Sequence, residues 1–262
     1  MIVNQWKPVS ISLEGYDILQ TYILFILSLV IGSFLANLSM CASMGKNMIT
    51  GRSKCCSCHT TLGPTDLVPL VNWFYLRGQC RHCGVAISGQ YIIMEWAVLI
   101  IFIWCLLILP PDILWAGCLL GWTLLTLSAI DLRCRRLPDF LTLPLIMMGL
   151  VYNSLFSPEQ FSHFVIGAVL GYVLFLVVAV LYRRFRGREG LGRGDAKLLA
   201  AAGAWVGWQE LPGLIMLAAI LGIIVALIWG WKARQDISTI KIPFGPFLSL
   251  AIWIIWLYGS GL

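Results

Sequence analysis

Charge is what this sequence has least of. Only 11% of its 262 residues are Asp, Glu, Lys or Arg, while 60% are apolar. A water-soluble domain would carry charge at roughly a quarter of its positions. One domain of this length could bury a large core, yet it could not hide so much apolar surface, so lipid is the expected solvent. Histidine is scarce too, with three residues, and neither H-E-x-x-H nor G-x-S-x-G occurs. That removes the zinc-hydrolase and serine-hydrolase readings. Internal repeats and low-complexity stretches are also missing. Residues 1–17 carry Glu14 and Asp17, unlike the cationic start of a cleavable signal peptide, and the apolar run behind them is long enough to span.

What is present is a series of apolar runs. About 20 residues cross hydrocarbon as a helix, and runs near that length fall at 18–41, 91–109, 113–130, 138–156, 161–182, 196–209, 212–231 and 244–258. The sixth is the shortest and contains Gly203 and Gly207. The expected fold is an all-α membrane protein of about eight transmembrane helices. With eight spans, all of the 18 basic residues except Lys7 fall on one side, which the positive-inside rule makes cytoplasmic. Both termini are then periplasmic in a Gram-negative host. The net charge of +6 follows from topology and attraction to anionic membrane lipid, and no nucleic acid is needed to explain it.

Residues 42–90 interrupt the apolar runs with almost fifty polar, Gly- and Cys-rich positions, too many for a structureless connector. Three parts are therefore expected: the N-terminus with the first span (1–41), a small cytoplasmic insert (42–90), and a helical bundle (91–262). The insert holds Cys55 and Cys58 in C-C-S-C and Cys80 and Cys83 in C-R-H-C. Two C-x2-C pairs are the pattern of a four-thiolate zinc site. One zinc ion would supply folding free energy that a fifty-residue insert cannot obtain from its core. Two disulfides are the alternative, which a reducing cytosol disfavours. Cys56, His59 and His82 adjoin the four and leave the ligand register open. Cys41, Cys105, Cys118 and Cys134 lack a partner at ligand spacing and read as small apolar residues.

Two aspartates carry the second constellation. Asp131 ends the third run in L-S-A-I-D-L-R, and Asp195 opens the sixth in G-R-G-D-A-K. Eight spans put both at the cytoplasmic boundary. Asp195 alone could simply cap a helix starting at Ala196. Asp131 is harder to explain structurally, because a carboxylate at a helix C-terminus opposes the macrodipole; an ion pair with Arg133, Arg135 or Arg136 would be its structural role. Asp139, after Pro138, fits the first turn of a helix. Two aspartates that meet at such a boundary can share a proton, one acting as base and the other as acid toward a peptide bond. The run E-G-L-G-R-G at 189–194 imitates a nucleotide- or methyl-donor-binding loop, but it follows an Arg-rich helix end rather than a strand. Its glycines are expected to let backbone approach a substrate beside Asp195.

At these residues the chain resembles the prepilin peptidases, membrane-embedded aspartic proteases of type IV pilus and type II secretion systems. G-S-F-L at 32–35, R-S-K-C-C-S-C with L-R-G-Q-C-R-H-C, Asp131 with L-P-D at 137–139, G-R-G-D-A-K-L-L at 192–199 and P-F-G-P-F-L at 243–248 stand in the family's order. The resemblance implies an inner-membrane enzyme that removes the leader from a prepilin or pseudopilin at the cytoplasmic face. It makes Asp131 and Asp195 the catalytic pair and Cys55, Cys58, Cys80 and Cys83 the tetracysteine set. It also implies N-methylation of the new amino terminus with S-adenosylmethionine. Departures cluster near the insert. The family's Asn after G-S-F-L is displaced to Asn37, Arg-x-Pro is missing from C-A-S-M-G-K, and Gly51 replaces the Pro before Arg-Ser. These touch the methylation expectation more than the peptidase one. A non-catalytic secretion scaffold and a transporter are the rivals; against the latter, Glu95 is the only acid well inside a span.

Overall fold

In the computed structural model the described residues are 18–43, 55, 57–58, 60–61, 63, 73, 75–186, 192–233 and 242–259. Cys56, His59, Gly51, residues 189–191 and the basic residues Lys7, Lys46, Arg52, Lys54, Arg188, Arg234 and Lys241 lie outside them. Eight helices form among the described residues: α1 (Ile18–Ser43), α2 (Gln90–Ile108), α3 (Leu114–Cys134), α4 (Asp139–Phe156), α5 (Phe161–Arg186), α6 (Arg193–Val206), α7 (Leu211–Ala233) and α8 (Gly245–Tyr258). Short 3-10 turns at Pro111–Ile113 and Pro158–Gln160 lead into α3 and α5. Each helix corresponds to one expected apolar run. Six are long and apolar enough to cross a bilayer, namely α1 to α5 and α7, and the protein is an integral membrane protein.

The chain forms two compact units, one over Pro8–Trp122 and another whose described residues all fall in Thr123–Leu262. In the first, α1 packs on α2. A Cβ at Gly32 would stand 3.2 Å from the Cα of Glu95, so the two backbones approach closely at that point. Ser28 and Ser39 donate to carbonyls of their own helix, Phe25 O at 2.7 Å and Ala36 O at 2.8 Å, which satisfies hydroxyls that lipid could not. Trp122 Nε1 donates to Val98 O at 3.2 Å, joining α2 to the start of α3.

In the second unit α6 lies at the centre, with α4, α5, α7 and α8 against it. Nearly every residue from Ala196 to Val206 is buried. A Cβ on Gly203 would lie 2.0 Å from Gly167 O, and one on Gly171 would lie 2.5 Å from Leu199 O. Glycine at both sites therefore lets α5 and α6 cross backbone to backbone. Asn153 Nδ2 donates to Ala204 O at 2.9 Å and Trp205 Nε1 to Leu145 O at 2.9 Å, tying α4 to the far end of α6. This placement explains the short, Ala-rich sixth run: a helix wrapped by protein needs small side chains, not a long lipid-facing surface. The helix begins at Arg193 and ends before Gly207, whose φ of +85° stops it. The expected run at 196–209 is thus corrected by three residues toward the N-terminus, which puts Asp195 inside the first turn.

Candidate functional site

Asp131 sits in the last turn of α3 and is 5% exposed. The helix stops just beyond it. The Arg135 amide bonds back to Asp131 O at 2.9 Å, with Arg135 in the left-handed region at φ +53°, a capping conformation at the C′ position. Its carboxylate opposes the dipole of its own helix, and the compensation comes from another. Oδ2 accepts the main-chain N–H of Gly245 at 3.0 Å, in the first turn of α8, where the dipole is positive. Arg135 adds its positive charge. The expected structural role, an arginine partner, is therefore only part of the account, and the helix terminus that also answers the carboxylate lies more than a hundred residues away.

Asp195 is the third residue of α6, and its Oδ2 accepts the N–H of Gly192 at 3.2 Å. That is the reach-back half of a capping box, made from inside the helix rather than from the N-cap position. Asp195 lies within electrostatic reach of Asp131, although 64 residues separate them in sequence. Two carboxyls so placed can share one proton and present an acid and a base together.

The connection between α3 and α4 is clamped to the start of α6 at two points. A Cβ at Gly194 would lie 2.9 Å from Cβ of Leu137; the space is filled by Leu137, so this glycine serves packing and not a substrate's approach. Lys197 Nζ donates to Asp139 Oδ1. Asp139 is the first residue of α4 and makes no side-chain cap bond for that helix. Its expected capping role is replaced by the ion pair, with the charge still favourable at a helix N-terminus. Sequence reasoning missed Gly245 as a partner of Asp131. The signal was present: glycine followed by proline at the head of an apolar run marks a helix start with a free amide.

In the other unit Cys55, Cys58, Cys80 and Cys83 bring their four Sγ atoms within 4.8 Å of one another, and the group could hold a metal ion. Cys55 and Cys83 are 3.7 Å apart. Tetrahedral zinc with Zn–S bonds of about 2.3 Å would set its sulfurs about 3.8 Å apart. Residues 78–87 fold back on themselves through Cys80 N to Val85 O (2.9 Å) and Ile87 N to Gly78 O (2.7 Å). Gly84 turns the chain at φ +69° with nothing near a would-be Cβ, so backbone conformation alone asks for glycine there. Amides of Cys58 and Ser57 lower the Cys55 thiol, and amides of Cys83 and His82 lower that of Cys80. Against the Val85 amide, desolvation and the other three sulfurs push Cys83 up to about 11. Sulfur crowded this way favours a cation. His82 is not among the clustered ligands.

The chain matches the family model described as type IV leader peptidase family over residues 118–227, which include both aspartates. It matches the bacterial peptidase A24 N-terminal domain over residues 26–109, which include all four cysteines. The prepilin leader peptidase/N-methyltransferase of Aeromonas salmonicida (strain A449) is 38% identical over 82% of this chain and 74% of the relative. That of Pectobacterium carotovorum subsp. carotovorum is 39% identical over 76% and 71%. That of Stutzerimonas stutzeri is 36% identical over 82% and 74%. No solved structure matches the chain significantly.

Proposed function

The chain belongs to the type IV leader peptidase family, and from that premise we propose that it is a membrane aspartic endopeptidase whose catalytic pair is Asp131 and Asp195. Its substrates are type IV prepilins or type II secretion pseudopilins, cut at the cytoplasmic face of the inner membrane. One observation carries the assignment. Among the described residues, Asp131 and Asp195 come from separate helices, α3 and α6, and lie within electrostatic reach of each other, Asp131 buried and Asp195 half-buried at the head of α6.

The chemistry needs no covalent intermediate. The ionised carboxylate takes a proton from water as the oxygen adds to the scissile carbonyl, while the protonated partner hydrogen-bonds the carbonyl oxygen. Collapse of the tetrahedral intermediate breaks the C–N bond, and the leaving amine accepts a proton from the pair. The chain spans the membrane eight times, with α6 and α8 as the two short crossings, and the 42–90 insert and the 183–194 loop lie inside. The parts at 1–41, 42–90 and 91–262 act as first span, zinc insert and catalytic bundle. Cys55, Cys58, Cys80 and Cys83 hold one structural zinc, closed by four thiolates and without a site for water; the 3.7 Å sulfur separation supports this. The relatives' names carry an N-methyltransferase activity, and we extend it to this chain with S-adenosylmethionine as donor. No residue is assigned to that donor.

The test is cleavage in detergent. Purified protein should shorten a prepilin at its leader, and Asp131→Asn or Asp195→Asn, inserted at normal levels, should leave the substrate intact. If either variant processes near normally while folded, the aspartic mechanism is wrong and a scaffold is the better reading. Mass spectrometry of the product decides methylation. An unmodified amino terminus after complete cleavage with donor present limits the enzyme to proteolysis.

A further inference from the structure

The first turn of α8 reads P-F-G-P-F-L, and its amides are disposed unequally. Pro246 has none. The N–H groups of Phe247 and Leu248 are both turned to Phe244 O at 3.1 Å. Gly245 alone keeps its amide for another partner, and that partner is Asp131 Oδ2 at 3.0 Å. A second observation is independent of the hydrogen bond. A Cβ built on Gly245 would lie 2.5 Å from Oδ2 and 3.0 Å from Cγ of Asp131. Nothing larger than hydrogen fits between this backbone and that carboxylate. Gly245 is buried, and it falls outside the family-model match, which ends at residue 227.

We propose that Gly245 is the positioning residue of Asp131: its amide pins Oδ2, and its missing side chain lets the head of α8 seat directly on the carboxylate, leaving Oδ1 for proton transfer. This rests on the aspartate pair being the catalytic pair. An aspartate at the end of α3 keeps freedom about its side-chain torsions unless one oxygen is held. The amide of a helix first turn holds it with charge-assisted geometry. Pro246 sharpens the arrangement by fixing the turn and removing a competing donor.

Four proteins in detergent test the idea: the wild type, Gly245→Ala, Asp131→Ala, and the double variant. Prepilin cleavage and the thermal midpoint are measured for each. Gly245→Ala should lower kcat about 100-fold, the scale of a displacement near 1 Å at a reacting group, with KM within about two-fold. It should lower the midpoint in the wild type but much less in the Asp131→Ala background, where the clashing carboxylate is gone and only the Cβ of residue 131, 3.3 Å from the added methyl, remains; contact between the two sites is what makes the effects non-additive. If Gly245→Ala fails to fold, Asp131→Ala should restore folding. Gly222→Ala, whose Cβ would meet Phe247 only at 3.5 Å, is the neutral control in the neighbouring helix. Equal loss of midpoint in both backgrounds, or cleavage by Gly245→Ala within about two-fold of wild type, overturns the proposal. Failure of the catalytic reading looks different: Asp131→Ala then cleaves normally, while the coupling of midpoints still reports on Gly245.

Discussion

Four sulfurs in one unit come from two short pairs that lie within residues 55–83. The two carboxylates and one amide in the other come from α3, α6 and α8, spread from residue 131 to residue 245. The first site is local: two tight turns present it, and each turn supplies the amides that favour its own thiolates. The second exists only because three helices pack, and glycine stands at both tight approaches, Gly194 against Leu137 and Gly245 against Asp131. A local site should tolerate damage to the bundle, and the packed site should tolerate damage to the insert. That contrast can be broken experimentally.

The largest expected effect separates the two sites by activity. Asp131→Asn or Asp195→Asn should cut prepilin cleavage by at least about 1,000-fold, and the double variant should be little worse, because the residues act as a unit. Any single Cys→Ser in the cluster should lose bound zinc by metal analysis and open the insert to limited proteolysis, yet retain cleavage within about ten-fold, the range of a structural rather than catalytic loss. Cleavage lost as completely by Cys55→Ser as by Asp195→Asn would end the distinction.

Next comes packing. Gly194→Ala pushes a methyl into Leu137, an overpacking expected to cost about 1–3 kcal/mol. The thermal midpoint should fall and cleavage with it, and Leu137→Ala in the same chain should recover part of both. Absence of recovery would mean that something other than this contact sets the register between α3 and α6.

The smallest effect belongs to Asp139→Asn. Asp139 is itself exposed in its ion pair with the half-buried Lys197, so the loss should stay within about 1 kcal/mol and cleavage should change by no more than a few-fold.

Much of this molecule is legible from residue order. Apolar runs located the eight helices of the described residues; six are long and apolar enough to cross a bilayer, where lipid forces each to satisfy its own backbone and so leaves a continuous signature. Cysteine spacing located the sulfur cluster, because its ligands sit on turns of fixed reach. Asp131 and Asp195 could be nominated by type and depth. That the two lie within electrostatic reach of each other could not be read directly, since it depends on tertiary packing. The start of α6 was misplaced by three residues because Arg193 and Asp195 look like loop in an apolar count, although a buried helix can begin with them when Gly192 supplies its N-cap.

The sequence by itself determined the solvent, the order of helices and the four-cysteine cluster, all properties of near neighbours along the chain. Tertiary structure alone decided which helix is wrapped by the others, that Lys197 answers Asp139, and that the amide of Gly245 meets Asp131 across 114 positions. The physical reason is range. Periodicity and turn geometry act over a few residues, whereas a carboxylate buried at the wrong end of its own helix dipole must find compensation wherever packing brings a donor.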